Sequence, residues 1–202
     1  MSRLHGPGDV RFFDRIAGLY DLAMPSADAE SLRAGLAFAH RPVERVLDVA
    51  GGTGRAARAL AGEGLDPVVV DFSRGMLERA RADGFGAVHA DARTLPLRDD
   101  SVDAVVVVDA LHHLPDPAEA VGEMARVVAP GGVVVIQEFG PRTLRGRGLV
   151  LAERAVGFDS QFWTADELCD VLERAGLTAR IVSEGFEYVV VGRVPAATAD
   201  EE

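Results

Sequence analysis

Lysine is absent from this 202-residue chain, and all 21 of its basic residues are arginine. Acidic residues number 32, which gives a formal net charge of −11. A surface of that sign repels the phosphates of DNA and RNA, so we expect no nucleic-acid partner. A genome rich in G and C or a cytoplasm of high salt would each produce this composition. The surplus of acids favours the second explanation, adaptation to salt.

Cysteine and long apolar runs are also scarce. The single cysteine, Cys169, cannot form an internal disulfide, and we expect it to be an inert helix residue. No apolar run approaches the roughly 20 residues that a membrane-spanning helix needs. Residues 1–7 contain no apolar signal core, so a cytoplasmic protein is expected. The length and the hydrophobic content of 48% predict one domain with one core.

The segment 46–55, with the sequence VLDVAGGTGR, has the strongest local pattern in the chain. It is an apolar strand containing Asp48, followed by a glycine-rich turn and a helix that opens at Gly54. Glycine allows a positive φ and lets a ligand approach the backbone without a Cβ in the way. The first turn of the helix presents unpaired N–H groups. The segment therefore predicts a site for a nucleotide-like cofactor.

Two classes of nucleotide cofactor fit this turn. Residues 52–57 match the G-x-G-x-x-A dinucleotide fingerprint. Asp71, at the end of the next apolar run, could accept hydrogen bonds from ribose hydroxyls in either class. However, Asp48 lies where the strands of dinucleotide sites are usually apolar. Asp91 supplies a further acid suited to an adenine amino group, so the pattern favours an adenosyl cofactor over NAD.

Strand and helix patterns alternate along the chain, which predicts an α/β fold with helices on both faces of a parallel sheet, a three-layer α/β/α arrangement. The chain ends differently, in two strand-like runs, 178–183 and 186–193, joined by a turn at Glu184-Gly185. The earlier strand patterns cover 45–50, 67–71, 86–89, 103–108 and 132–138, and the helical patterns cover 54–62, 73–82, 117–128 and 164–175.

Several motifs, taken in order, resemble those of the class I S-adenosylmethionine-dependent methyltransferases. They are residues 48–54, Asp71, Asp91-Ala92, 103–109, the run LHHLPD at 111–116, and APGG at 129–132. The resemblance covers roughly residues 44–138. It implies a Rossmann-like, seven-stranded, mostly parallel sheet with an antiparallel last strand, S-adenosylmethionine as the cofactor, and a small-molecule methyl acceptor.

A narrower resemblance involves residues 13–21, with the sequence FDRIAGLYD. Together with residues 47–54, this segment is similar to the ubiquinone/menaquinone biosynthesis C-methyltransferases. It implies C-methylation of an isoprenoid quinone precursor. The chain departs from that subfamily at His112-His113, where an Arg-Asn pair is usual, and at residues 23–27, which replace a longer Asn- and Ser-containing stretch.

The resemblance assigns the cofactor to the ends of the first strands. Asp71 is assigned to the ribose and Asp91 to the adenine amino group, whereas Asp48 is expected mainly to organise the turn. Tyr20 is expected to cover the methionine end, and Met76 fits either an apolar wall under the adenine or the core. The expected cofactor residues are Tyr20, Asp48, Ala50, Gly51, Gly52, Gly54, Asp71, Phe72, Met76, Asp91, Ala92, Asp109 and Ala110.

His112 and His113 follow the fourth strand, at the edge of the sheet where the methyl group should lie. A neutral imidazole can accept a proton near pH 7, so both are candidate catalytic bases, and we prefer His112. The alternative is that the imidazoles bond to backbone carbonyls and shape the pocket. The other histidines are scattered, so no metal site is expected.

A single methyltransferase domain over residues 1–202 is expected. Within it, residues 10–40 form an N-terminal helical lid, 44–138 the cofactor-binding core, 139–163 a substrate-lid insertion, and 164–193 the last helix and the terminal hairpin. Ligands of open α/β sheets bind at the carboxyl ends of the strands, so both lids are placed to select the substrate. The aromatic residues that could line an apolar acceptor pocket are Phe12, Phe13, Phe158, Phe162 and Trp163.

Other partners and functions stay open at this point. Arg142, Arg145 and Arg147 form a basic cluster that could contact a membrane surface or an anionic substrate, or belong to a solvated loop. Either a monomer or a homodimer is compatible with the sequence. A cofactor-binding sensor or partner subunit without catalysis is one alternative function. An NAD-dependent oxidoreductase is another, although a lysine-free chain cannot provide a Tyr-x-x-x-Lys dyad.

Overall fold

One seven-stranded sheet organises the chain in the computed structural model, which describes residues 10, 13–15, 17, 27–62, 64–158 and 160–196. Neighbouring strands are parallel except around the last strand, which runs antiparallel to both of its neighbours. The predicted fold is thereby confirmed. The strands are β1 (Val46–Val49), β2 (Val68–Asp71), β3 (Gly86–His89), β4 (Val102–Val108), β5 (Val128–Phe139), β6 (Thr178–Ser183) and β7 (Glu187–Arg193), in the order β3-β2-β1-β4-β5-β7-β6.

The helices pack on both faces of this sheet. In β4, Val105 and Val107 join a core cluster with α4 and α6, whereas Ala104 and Val106 join a second cluster with α1 and α2. This alternation follows from the two-residue period of a strand, and it produces the three layers. The helices are α1 (Ala29–Leu36), α2 (Arg55–Leu60), α3 (Arg74–Ala82), α4 (Pro117–Val127), α5 (Leu144–Val156) and α6 (Ala165–Arg174).

Polar side chains begin the helices where the sequence predicts. Ser73 accepts a hydrogen bond from the Met76 amide, and Asp116 caps α4 ahead of a proline at the first helical position. Thr164 and Glu167 form a reciprocal capping box on α6. These contacts satisfy amide groups that have no partner within the helix, which is why the boundaries could be placed from sequence.

The largest departures from the prediction are two element boundaries and one additional helix. Helix α1 begins after its cap, Asp28, and ends at Leu36, so it covers only part of the helical lid predicted over residues 10–40. Strand β5 begins at Val128, directly after α4, whereas the strand pattern in the sequence begins at residue 132. A register shift between β4 and β5 accommodates Gly131 and Gly132 within the strand. Helix α5 was not predicted at all. No helix in the described ranges is long and apolar enough to cross a membrane.

The turn between β1 and α2 depends on Gly54. Its φ is +86°, and an added Cβ would lie 3.2 Å from the Phe85 ring and 3.3 Å from Val69. We expect Gly54→Ala to lower the free energy of unfolding by about 1–2 kcal/mol, the cost of a left-handed residue with a side chain.

Gly122→Ala is the matched control. Gly122 lies within α4, is exposed and has no atom within 4 Å of an added Cβ, so this change should raise stability by roughly 0.5–1 kcal/mol. Urea unfolding of both variants measures the difference. Equal stability of Gly54→Ala and the wild type would contradict the importance of this turn.

Candidate cofactor and acceptor site

A cavity of about 640 Å³ opens at the carboxyl ends of the parallel strands. Most of the expected cofactor residues line it, together with Phe13 and His113. Asp48 and Gly54 do not line it, and Tyr20 lies outside the described residues. The expected cofactor residues that do line the cavity are Ala50, Gly51, Gly52, Asp71, Phe72, Met76, Asp91, Ala92, Asp109 and Ala110.

Asp48 stabilises the glycine turn by accepting a backbone hydrogen bond from the helix that follows it. Its carboxylate is fully buried, and one oxygen accepts a hydrogen bond of 2.9 Å from the Ala57 amide in α2. Burial raises the pKa of Asp48 to about 7, although the Ala57 amide opposes that shift. The residue therefore fixes the turn to the first turn of the helix instead of reaching the ligand cavity.

Asp71 joins the loops that follow β1 and β2. One carboxylate oxygen accepts from the Gly52 amide at 2.8 Å and the other from the Ser73 amide at 2.7 Å. Burial raises the pKa of Asp71, and these amide donors partly offset the effect. Asp71 also lines the cavity.

Phe72, Asp91 and Arg93 lie together in the cavity wall. The Phe72 ring is 49% exposed and stacks on His89, with the ring centroids 5.3 Å apart. Asp91 forms a bidentate ion pair with Arg93, whose Nη2 lies 2.6 Å and whose Nε lies 3.0 Å from its oxygens. The hydrogen bond from Arg93 lowers the pKa of Asp91, so this acid is ionised. The Arg93 side-chain contact was not expected from the sequence.

A buried ion pair between Arg55 and Asp109 was also missed. The Nη2 atom of Arg55 lies 2.7 Å from Oδ2 of Asp109, and both side chains are less than 10% exposed. Burial raises the pKa of Asp109 to about 6, against the effect of Arg55. Oδ1 of Asp109 is buried with no hydrogen-bond partner among the described residues, which leaves an acceptor for a ligand donor.

Two residues that line the cavity have strained backbone conformations. Ala50 and Asp109 have φ values of 52° and 51°, left-handed conformations that non-glycine residues seldom adopt. They follow β1 and β4, neighbouring strands of the sheet, and both line the cavity. Such strain costs about 1–3 kcal/mol per residue and persists where the surrounding structure fixes it, most often at binding sites.

His112 is buried in an ion-paired cluster and does not line the cavity. Its Nδ1 lies 2.6 Å from Glu138 and its Nε2 lies 3.6 Å from Glu153. Burial alone would lower its pKa, but the charge and hydrogen bond of Glu138, followed by Glu153, raise the pKa to about 10. Our preference for His112 as the base is therefore corrected, because an imidazole that is already protonated at pH 7 cannot accept a proton.

His113 is the neighbouring imidazole that lines the cavity. Phe13 and Phe158 contact its ring edge-on, with centroids 5.1 Å and 5.3 Å away, and the Ser160 hydroxyl lies 3.4 Å from its Nδ1. Of the other expected acceptor-pocket aromatics, Phe162 stacks on His112 at 4.7 Å. Trp163 packs against the core instead, and Phe12 lies outside the described residues.

The same cluster contains atoms that could bind a metal ion. One atom each from His112, His113 and Glu153 lies within 4.8 Å of the other two. However, two of these three residues are already engaged with other groups, because the His112 imidazole is ion-paired with both Glu138 and Glu153. Sequence reasoning missed the two glutamates because they lie far from His112 along the chain.

Comparison with known proteins identifies the family. A family model described as a methyltransferase domain matches residues 47–136. A demethylmenaquinone methyltransferase of Mycobacterium sp. (strain KMS) is 36% identical over 160 residues, which cover 73% of this chain and 70% of that protein. The chain belongs to the class I S-adenosylmethionine-dependent methyltransferases. The expected family is confirmed, and S-adenosylmethionine is the cofactor that membership implies.

Other relatives agree with this assignment. A demethylmenaquinone methyltransferase of Clavibacter sepedonicus is 40% identical over 163 residues, covering 74% of this methyltransferase and 66% of the relative. The chain spans only 59% of the length of the relatives from Renibacterium salmoninarum and Beutenbergia cavernae.

Solved structures share the fold. A chain from the complex of the Haloferax volcanii Trm112 methyltransferase activator with a methyltransferase superimposes with a TM-score of 0.76 at 23% identity, covering 91% of this chain and 97% of that one. An S-adenosylmethionine-dependent methyltransferase from Thermotoga maritima gives 0.74 at 24% identity, with coverages of 91% and 98%.

The buried cluster predicts a large stability effect at His112. His112→Ala leaves the buried Glu138 carboxylate and the partly buried Glu153 carboxylate without their cation, so we expect a loss of about 3–5 kcal/mol in the free energy of unfolding near pH 6. The folded-state pKa, about 10, lies above the ordinary value of 6.5. The stabilisation is therefore complete below about pH 6.5 and is lost as the pH rises through 10.

Urea unfolding at pH 6 and pH 9 tests this, with His89→Ala as the control because His89 is exposed. The difference between the wild type and His112→Ala should be smaller at pH 9. A loss no larger than that of His89→Ala, or one that is independent of pH, would contradict the assignment of a charged His112.

Proposed function

We propose that the chain transfers the methyl group of S-adenosylmethionine to a ring carbon of a small aromatic acceptor, the reduced form of an isoprenoid quinone precursor. The observation that carries the proposal is the shared cavity, which has the Asp71 carboxylate on one wall and His113 with aromatic rings on another. The names of the relatives from Clavibacter and Mycobacterium support this acceptor class. The proposal includes a cytoplasmic chain, monomeric or homodimeric, with peripheral membrane contact where such acceptors are held.

The residues present fit the cofactor. In the proposed arrangement Asp71 accepts from the ribose hydroxyls, and the adenine lies beside Phe72 and near Asp91. The unpartnered oxygen of Asp109 accepts from the ammonium group at the methionine end. This orientation directs the reactive methyl group towards His113.

The chain itself supplies orientation, exclusion of water and a proton acceptor. S-adenosylmethionine contributes an activated methyl group when it is bound, so the barrier depends largely on positioning the acceptor carbon in line. Phe13 and Phe158 exclude water beside His113. His113 accepts the proton of the acceptor hydroxyl, which makes the adjacent ring carbon nucleophilic.

Cofactor binding should depend on Asp71. We expect Asp71→Ala to weaken the binding of S-adenosylmethionine or S-adenosylhomocysteine by about 1–3 kcal/mol, the cost of losing charge-assisted hydrogen bonds. Asp66→Ala, which changes an exposed acid before β2, should have no effect. Titration calorimetry measures both variants. Unchanged affinity in Asp71→Ala would place the ribose elsewhere, and tighter binding of NADH than of either ligand would contradict the cofactor assignment.

Turnover should depend on His113. His113→Ala is expected to lower the rate of methylation of a reduced demethylated quinone by about 10²–10⁴-fold, with S-adenosylmethionine affinity and melting temperature unchanged. His40→Ala serves as the control, because His40 bonds to Arg193 away from the cavity. Release of S-adenosylhomocysteine measures the rate. Full activity of His113→Ala would exclude it as the base, and cofactor binding without release for any quinone acceptor would support the non-catalytic alternative.

A further inference from the structure

Helix α5 contacts the body of the protein through one face. Near its start, an added Cβ on Gly146 would lie 1.9 Å from the carbonyl oxygen of Gly140, so the two backbones touch. Near its end, Glu153 reaches inward to His112. Gly146 and Glu153 are seven residues apart, which is about two helical turns, so they share one face. That face is the inner face of α5.

The outer face of α5 carries exposed leucines. Leu144 is 89% exposed and Leu151 is 71% exposed. Together with Gly148 and Ala155, which are also exposed, they follow the spacing i, i+4, i+7, i+11 of one helix face. The next most exposed large apolar side chain in the described part of the chain is 49% exposed. An apolar stripe thus faces away from the protein.

Arginines border this stripe on both sides. At about 100° per residue, Arg147 and Arg154 lie on one side of the leucines and Arg145 lies on the other, and all three are exposed. Residues 140–158 contain four arginines and a single acid, Glu153, which points inward. A chain with a net charge of −11 therefore presents one locally cationic, apolar face.

We propose that the outer face of α5 binds the surface of an anionic lipid bilayer. The leucines would enter the acyl boundary while the arginines meet the headgroup phosphates, as in interfacial amphipathic helices. Charge favours this occupant over a second copy of the chain, because a two-fold contact through this face would bring two arginine clusters together.

The position of α5 connects this surface to the cavity. The segment that follows the helix contributes Gly157 and Gln161 to the cavity wall. On the proposed function, an acceptor with an isoprenoid chain could pass from the bilayer to His113 without crossing water. The binding of lipid itself does not depend on that function.

Co-sedimentation of the full chain with vesicles tests the inference. We expect binding to vesicles that contain phosphatidylglycerol, weaker binding to pure phosphatidylcholine, and a decrease as salt is raised. Leu144→Ser with Leu151→Ser should lower the partition coefficient about tenfold per leucine. Arg145→Gln with Arg147→Gln should lower it about fivefold per arginine.

Two control variants match these changes. Val88→Ser alters an exposed apolar residue on β3, and Arg79→Gln with Arg98→Gln removes two exposed arginines elsewhere, so both should bind like the wild type. Failure of the wild type to bind anionic vesicles, or equal loss in the control and α5 variants, would overturn the proposal. The proposal would also be overturned if the wild type were a dimer, and if the leucine substitutions dissociated that dimer without weakening vesicle binding.

This test is separate from catalysis. Vesicle binding is measured without cofactor or acceptor, so its outcome stands even if methyl transfer is not observed. With an acceptor held in the vesicles, the leucine variant should turn over more slowly than the wild type. With a water-soluble acceptor that lacks the isoprenoid chain, the two should be equal. Equal rates on the vesicle-held acceptor would overturn the role of α5 in substrate access.

Discussion

The ion pair between His112 and Glu138 holds together the side of the cavity that His113 lines. Glu138, at the end of β5, accepts hydrogen bonds from the amides of Leu111 and His112 as well as from the imidazole. The His112 carbonyl accepts from the Gln161 amide, and the imidazole extends to Glu153 on α5. A buried pair of this kind contributes little net stability against an apolar replacement, but its removal leaves a buried charge uncompensated. The pair matters for position, because three separate segments, those of Glu138, Glu153 and Gln161, meet at the one residue His112.

The side of the cavity that Asp71 lines is held by hydrogen bonds to backbone amides instead of a buried ion pair with histidine. Its carboxylates follow strand ends, and Asp71 orders two loops at once through backbone amides. The strained conformations of Ala50 and Asp109 are held in place by these contacts and by Arg55. Because these groups are already fixed before a ligand binds, less binding free energy is lost in ordering them. The side of the cavity around His113, by contrast, draws on segments that are far apart in the sequence, with Phe13 and Phe158 meeting at one ring.

The parts that could be predicted from the sequence are those with local causes. Valine-rich runs mark the strands, and capping side chains such as Ser73 mark helix starts. Acids at strand ends, among them Asp71, could be placed in one cavity because topology brings strand ends to one edge. The partners of His112 were missed, since nothing local relates Glu138 and Glu153 to it. Helix α5 was missed because its leucines face outward, so its apolar pattern does not describe a buried face.

The antiparallel strand affects the order in which the sheet can form. Strand β7 is synthesised after β6, yet it lies between β5 and β6 in the sheet. Until β7 is available, the twelve-residue β5, almost entirely buried in the finished fold, has an unpaired edge. Open apolar edges are the sites at which nascent chains associate wrongly. Synthesis that stops before residue 187 therefore releases a chain in which β5 exposes an unpaired apolar edge, so correct folding of this sheet depends on the synthesis of β7.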